Sequence, residues 1–566
     1  MKRILLLIFT LCAIGASGQK FFQVTPASQR WVDKTFHKLT RRQKIGQLMV
    51  MRLSEKKGKE IVFLEDQVSQ YVKKYDIGAV CLFQGGSLQQ AEAMNRLQAK
   101  AKTPLMVCVD GETGLGMRFT DVTPFPDQLT IGAISDPKLA YEIGKAIGQQ
   151  CKHAGVQVNY APVVDINNNP NNPVINYRSL GEDKYKVSLL GSAIMKGIQD
   201  EGVMACAKHF PGHGDVSVDS HLDLPVINKS MQALDSLELF PFKQLIKDGV
   251  GSIMIAHLYI PAIDTTKNQA TSLSKKNVTG LLKKTLGFKG ITFTDALEMK
   301  GVTKFYPAGQ ASVQSLIAGN DMLCLPGDLK GSIRKTRKAI RNHKLSWKDI
   351  DEKVHKVLLA KYNLGLDSWK PIPYNALTED LNKDVVRLKK AVYENAITLL
   401  RQDNPTMLPL AASKKVAYVG IGISSANSFA SQLQENYKAD CFYFDSSMDS
   451  IHAQNIISDL QSYDAVVIGI HQYNKFPANN FGISKALVDI VNTLQKMKNT
   501  ITFVFGNPYA IKNFVSAPNI IACYEDDSLM HDAAINLLKG TATAKGKLPV
   551  TIDVSFHFGS GIISKN

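Results

Sequence analysis

Eight short apolar runs, each followed by a stretch with helical periodicity, fill the first two thirds of the chain, and no other feature limits its fold so tightly. They are QLMVMRL (47–53), IGAVCLF (77–83), PLMVCVD (104–110), VQVNYAPVVD (156–165), VMACAKHF (203–210), SIMIAH (252–257), ITFTD (291–295) and DMLCLP (321–326). Runs that are apolar almost without interruption are strands covered on both faces, the condition of a parallel sheet. Amphipathic segments such as KLAYEIGKAIGQQCKHAG and VSLLGSAIMKGIQDEG separate them. Eight strand–helix units between residues 47 and 326 predict an α/β protein built on a (β/α)8 barrel of the TIM type.

A second α/β pattern follows. The barrel domain is predicted over 19–365, and LDSWKPIPYNALTEDLN marks a linker over 366–385. Residues 386–566 carry VAYVGIG (416–422), CFYFD (441–445), AVVIGI (465–470), ITFVFG (501–506), NIIACYE (519–525) and LPVTID (548–553) as strands. Their alternation with helical segments predicts a doubly wound α/β sandwich. The turn GIGISSAN offers Gly420 and Gly422 but lacks the third glycine and the acidic partner of a dinucleotide site. No nucleotide cofactor is expected there.

The start, MKRILLLIFTLCAIGASGQK, has basic Lys2 and Arg3, an apolar run and small residues at Ala16 and Gly18. This pattern predicts a signal peptide over 1–18 and export to the periplasm or beyond. Leu11 is too bulky before Cys12 for a lipoprotein site, so a lipid anchor is not expected. The seven remaining cysteines lie mostly in apolar runs without CxxC spacing and read as buried free thiols. The net charge of +17 is scattered, densest in RKTRKAIRNHK (334–344), and reads as a solvated basic face. No nucleic-acid partner is expected; attraction to an acidic surface or polymer stays open.

The predicted strands end in Asp110, Asp165, Lys208–His209, His257 and Asp295. Charged groups at the C-terminal rim of a barrel converge on one mouth, where barrel enzymes keep their chemistry. The loop KHFPGHGDVSVDSHLDLP (208–225) opens into that mouth and holds three of the chain's twelve histidines. His209 and His213 would share a helical face as metal ligands, but Pro211 and Gly212 break any helix between them, so no metal is expected. In Asp219–Ser220–His221 a carboxylate lies two residues from an imidazole. Such a pair either moves protons near neutral pH or makes a structural hydrogen bond. Asp295 either faces the mouth or caps the following helix. A carboxylate nucleophile with a separate proton donor suits retaining glycoside hydrolysis.

The 208–225 loop closely resembles the signature of family 3 glycoside hydrolases of the β-N-acetylglucosaminidase (β-N-acetylhexosaminidase) branch, and GFKGITFTDALEM is similar to that family's nucleophile segment. VDGETGLGMRF, VNYAPVVDINNNPNNPVINYRSLGED and SIMIAHLYIPAID resemble its other rim segments. ENAITLL, VFGNPYAIKNF and GKLPVTI resemble pieces of the sandwich domain that follows the barrel in longer members. The resemblance implies Asp295 as nucleophile, His221 as general acid/base and Asp219 as its partner. It implies Asp110, Arg118, Arg178, Lys208, His209 and His257 as substrate contacts.

The activity so implied is exo-acting, retaining removal of terminal β-linked N-acetylglucosamine from glycans such as peptidoglycan fragments or chitooligosaccharides. It needs neither a metal nor an organic cofactor. One segment departs from the pattern: DGETGLGMR stands where many shorter members carry DQEGGRVxR, so the subsite around Asp110 differs. A β-glucosidase or β-xylosidase of the same family is one alternative, but those relatives usually take their acid from the second domain and lack the Asp-x-His loop. An N-acetylglucosaminide phosphorylase and an inert glycan-binding protein are the others.

Overall fold

The computed structural model describes residues 17–220, 222–307, 309–445 and 456–563. The predicted signal segment lies almost wholly outside the described residues. No described helix is long and apolar enough to cross a membrane.

Strands β1 (Met49–Arg52), β2 (Ala79–Leu82), β3 (Met106–Val109), β4 (Val158–Asn159), β5 (Met204–Phe210), β6 (Ser252–Ile255), β7 (Ile291–Thr294) and β8 (Leu323–Cys324) form one eight-stranded sheet. Every pairing in it is parallel. β8 pairs with β1, and a bridge from Phe293 to Met322 joins β7 to the approach of β8, so the ring closes. Helices cover its outside. Pro137–His153 and Lys184–Asp200 start at Asp136 and Asp183, whose carboxylates accept the N–H of Lys138 and Lys186. They bury Ile143, Ile147 and Cys151 on one, and Leu190, Ile194 and Ile198 on the other, the spacing of an apolar stripe.

The fourth strand is shorter than its apolar run. Only Val158 and Asn159 join the ladder, and Val163 returns to it as a bridge to Lys208. Pro162 has no N–H to donate, so there the chain only accepts, from the Lys208 N–H at 3.3 Å.

In the second domain, β10 (Val416–Ile421), β11 (Asp440–Phe444), β12 (Ala465–Ile470), β13 (Thr500–Val504) and β14 (Asn519–Ala522) are parallel in the spatial order β11-β10-β12-β13-β14. This is the flavodoxin-like, doubly wound order. One predicted strand is corrected: LPVTID (548–553) is not part of the sheet. The edge beside β14 is taken instead by β9 (Thr398–Gln402), antiparallel. Pro549 cannot donate to a ladder, and the segment lies as an extended strap on the barrel, where Glu182 accepts from the Thr551 N–H and hydroxyl at 2.7 and 2.6 Å.

Residues 366–385 pack along the barrel, burying Leu366, Ile372, Leu377 and Leu381. All seven described cysteines are free, six of them buried and Cys441 half-buried. Helix Leu329–Arg341 buries Ile333 and Ile340 and exposes Arg334, Arg337, Lys338 and Arg341, a solvated basic face.

Behind β5, Phe242 on helix Leu239–Lys247 meets Phe210 edge-on at 5.2 Å between ring centres, and both are fully buried. Phe242→Ala removes the ring that supports the strand end carrying Lys208 and His209. It is expected to lower stability in urea unfolding by about 3–5 kcal/mol. A loss under about 1 kcal/mol would show that this packing does not hold the strand.

Candidate active site

Residues from all eight barrel strands or the loops after them line a cavity of about 290 Å³ at the mouth. Its floor is a closed ionic cluster. Asp110, just past β3, receives the Lys208 ammonium on one oxygen and Arg118 Nη2 at 2.5 Å on the other. Two residues on, Glu112 accepts Arg178 through Nε at 2.9 Å and Nη2 at 2.6 Å, and Lys208 Nζ at 2.6 Å. Lys208 thus bridges two carboxylates while 1% exposed. A buried ammonium is tolerable only when paired in this way.

The electrostatics follow. Burial alone would raise the Asp110 carboxyl, but Lys208, Arg118 and Arg178 outweigh it and hold the group well below the usual carboxylate range. Burial likewise opposes ionisation of Glu112, yet Arg178 and Lys208 bring it down to about 2. Lys208 is pushed up despite its burial by Asp110 and Glu112. The cluster therefore stays fully ionised at neutral pH. The Asp110 side chain keeps 25% of its surface open to the cavity.

The next layer is built on Asp165, which is fully buried. His209 places Nδ1 2.7 Å from its Oδ2, and the His213 N–H donates to Oδ1 at 2.7 Å. Burial would raise this carboxyl, but His209 and His213 lower it. The other His209 nitrogen, Nε2, lies 3.4 Å from Arg178 Nη2. Burial and His209 push the His213 imidazole down to about 4, so it is neutral at working pH. Its Nε2 stands 3.2 Å from Ser220 Oγ.

Two glycines shape the loop between. Gly212 has φ +126°, where side chains are rarely tolerated. A Cβ on Gly214 would meet the Ile166 carbonyl oxygen at 1.6 Å, so the loop can lie against the β4 rim only with glycine there. Farther along, the Leu222 and Asp223 N–H groups donate to the Asp219 carbonyl, and Lys304 pairs with Asp223 at 2.8 Å. The loop is thus tied down on both sides of Asp219, which is half-buried. His221, the predicted acid/base, lies outside the described residues.

Asp295 follows β7 and faces the cavity. Its N–H donates to Ile255 O at 2.9 Å, and its Oδ1 accepts the Ala296 N–H at 2.7 Å. His257 is placed differently from the other predicted contacts. It is fully buried, with Nδ1 2.7 Å from Ser272 Oγ and Nε2 3.0 Å from the Ala296 carbonyl. It braces the turn that carries Asp295 and does not line the cavity. The structure brings Asp110, Arg118, Arg178, Lys208, His209 and Asp295 together around one space. Sequence reasoning placed Asp165 at the mouth without a specific role and gave none to Glu112 or to the Arg52–Glu298 pair. The Glu112 signal was present: a lone acid two residues past a strand-end aspartate, flanked by Gly111, Thr113 and Gly114.

The glycosyl hydrolase family 3 N terminal domain model matches residues 40–360. The chain belongs to this family. It is similar to β-hexosaminidase A of Pseudoalteromonas piscicida, 28% identical over 554 residues, which span 87% of this chain and 92% of that one. A family 3 β-N-acetylglucosaminidase from Paenibacillus sp. str. FPU-7 superposes with a TM-score of 0.74 at 28% identity, covering 91% of this chain and 99% of the other. A β-glucoside phosphorylase shares the fold with a TM-score of 0.81 at 24% identity, over 94% and 97% of the two chains. The ionic floor and Asp295 are accordingly the candidate active site of a family 3 glycoside hydrolase.

Glu112→Gln leaves Lys208 and Arg178 short of a buried counter-charge and is expected to cost about 3–5 kcal/mol of stability at pH 7. The folded carboxyl is depressed, so its contribution is complete above the ordinary value of 4.5 and fades as pH falls toward about 2. Urea unfolding of both proteins should give a constant difference above pH 5 that narrows below pH 4.5. A difference that does not change with pH would refute the assignment.

Proposed function

We propose that the chain is an exported, exo-acting, retaining β-N-acetylglucosaminidase that removes terminal β-linked N-acetylhexosamine from peptidoglycan fragments or chitooligosaccharides. The observation that carries this reading is the pairing of a charged, closed floor with Asp295 at the wall of one small cavity. Its volume of about 290 Å³ is at the low end for ligand sites, which run from ~300 Å³ upward, and suits a single terminal sugar ring. The Asp219-x-His221 loop and the names of the two relatives near 28% identity support the acetamido sugar.

The chemistry follows from the groups. Asp110, permanently ionised, accepts hydrogen bonds from ring hydroxyls, while Arg118, Arg178 and Lys208 donate to them. These contacts strengthen as the ring flattens toward the oxocarbenium-like transition state. Asp295 attacks C1 as the glycosidic C1–O bond breaks, and protonated His221 gives its proton to the leaving oxygen. Neutral His221 then takes a proton from water, which attacks C1 and releases Asp295. Two inversions give net retention. Asp219 orients the imidazole and stabilises its charged form. Histidine suits the double role because its ordinary pKa of about 6.5 lets it act as acid and then base near neutral pH. The signal-peptide pattern of the first eighteen residues supports an activity outside the cytoplasm.

Purified enzyme should hydrolyse a chromogenic β-N-acetylglucosaminide far faster than the matching β-glucoside in phosphate-free buffer, with a β-configured first product by NMR. Preference for the plain glucoside would overturn the substrate reading, and phosphate-dependent release of sugar 1-phosphate would replace hydrolysis by phosphorolysis. Asp295→Ala should lose at least ~10³-fold in kcat; unchanged turnover would remove the nucleophile role. In His221→Ala the pH–rate profile should lose the limb that reports the imidazole.

A further inference from the structure

A second set of ligating side chains lies in the sandwich domain, at the C-terminal edge of its sheet. His471 follows β12, Asp526 lies in the loop after β14, and His531 is one turn into helix Ser528–Leu538. One ligand atom from each lies within 4.8 Å of the other two. His471 Nδ1 and His531 Nε2 both approach the same carboxylate oxygen, Asp526 Oδ1, at 2.9 and 2.8 Å. We propose that His471, Asp526 and His531 form a binding site for one divalent transition-metal ion of the zinc class, apart from the sugar cavity.

Three observations support this. The first is the donor set. Two imidazoles and one carboxylate suit zinc and its neighbours, whereas magnesium and calcium seek more oxygens. Ligand atoms about 2.0–2.1 Å from a tetrahedral ion lie about 3.3 Å apart, so the two contacts to Asp526 Oδ1 need open by only a few tenths of an ångström, and the two imidazole nitrogens, within 4.8 Å of each other, would settle toward the same separation.

The second is the set of groups around the ligands. His471 Nε2 is 2.8 Å from Tyr418 Oη, and His531 Nδ1 is 2.5 Å from Ser428 Oγ. Each imidazole can therefore donate its far N–H to an oxygen and keep its near nitrogen free for an ion, the usual way a protein fixes a metal-binding tautomer. Phe505 clamps both rings, stacked on His471 at 4.6 Å and edge-on to His531 at 4.8 Å. Asn427 Nδ2, 3.3 Å from His471 Nδ1, is the longer contact. Without an ion the same atoms satisfy one another, both imidazoles donating to Asp526.

The third is access. His471 and His531 are buried, but the Asp526 side chain is 21% exposed and borders a cavity of about 210 Å³ between the two domains. A fourth ligand, water or a small molecule, could enter from that side. The ion would also stiffen the link to the barrel. The Gln472 N–H donates to Asp526 Oδ2 at 2.9 Å, and the same loop continues to Lys475, which pairs with Asp127, and Phe476, which packs on Tyr177 beside Arg178.

The test uses the full chain, stripped by dialysis against EDTA and titrated with zinc by calorimetry and with cobalt(II) by visible absorption. One equivalent per chain is expected, with a cobalt spectrum of nitrogen and oxygen ligands and a rise in melting temperature on adding zinc. Asp526→Asn and His531→Gln should each weaken uptake at least about tenfold while circular dichroism stays unchanged. No saturable uptake by the folded wild type would overturn the site. So would a thiolate charge-transfer band from cobalt, or equal uptake by the folded variants. The wild-type spectrum decides the ligand type even if a variant fails to fold.

Discussion

The buried pairing of Lys208 with Asp110 and Glu112 is the interaction on which the mouth of the barrel depends. An ammonium at 1% exposure is admissible only with counter-charges in direct contact, and here both come from the segment after β3. Arg118 joins from farther along the same segment and Arg178 from the loop after β4, so three cations meet two carboxylates. Each charge makes the burial of its neighbours affordable, and none could be withdrawn alone. The cost of assembling them is met by the apolar ring beneath, where Tyr160 packs on Phe293 and strands covered on both faces leave no water to compete.

On the proposed function, such a floor is preorganised for sugar hydroxyls. A carboxylate already ionised and fixed by two cations need not reorient when a ring arrives, and the donors around it are equally held. The layer above follows the same logic at lower charge. Asp165 holds His209 and the His213 backbone, and Gly214 lets the loop lie against Ile166. The loop over 208–225 is thereby hung from this layer. The sandwich domain completes the rim from outside: Lys475 pairs with Asp127, Phe476 covers Tyr177, and Glu182 accepts from Thr551. A metal at His471, Asp526 and His531 would brace that outer contact without touching the sugar.

Much of this was legible in the chain. The barrel could be read because parallel strands buried on both faces must be continuously apolar, and few other segments are. The flavodoxin-like sheet was visible for the same reason. Where the reading failed, a local signal lacked its context. LPVTID has the composition of a strand, but β9 already occupies the edge it would need. The run 156–165 reads as one long strand, yet only Val158 and Asn159 join the ladder before Pro162. His257 looks like a rim residue from its position at a strand end, but its ring turns inward to the Ala296 carbonyl.

By itself, the sequence determined the two α/β units, the strand-end placement of Asp110, Lys208–His209 and Asp295, and the loop that carries Asp219 and His221. These follow from periodicity and from residue type at element ends, which are local properties. Tertiary structure alone decided which charges neutralise which. Glu112 became part of the floor only when ring closure brought the ends of β3 and β5 to the same mouth, on either side of β4, and Asp165 became the anchor of His209 only through the neighbouring strand end. His471, Asp526 and His531 lie 55 and 5 residues apart along the chain and meet only because β12 and β14 end at the same edge of the sheet. Pairing energy depends on distance in space, and no pattern along the chain encodes that distance until the sheets have formed.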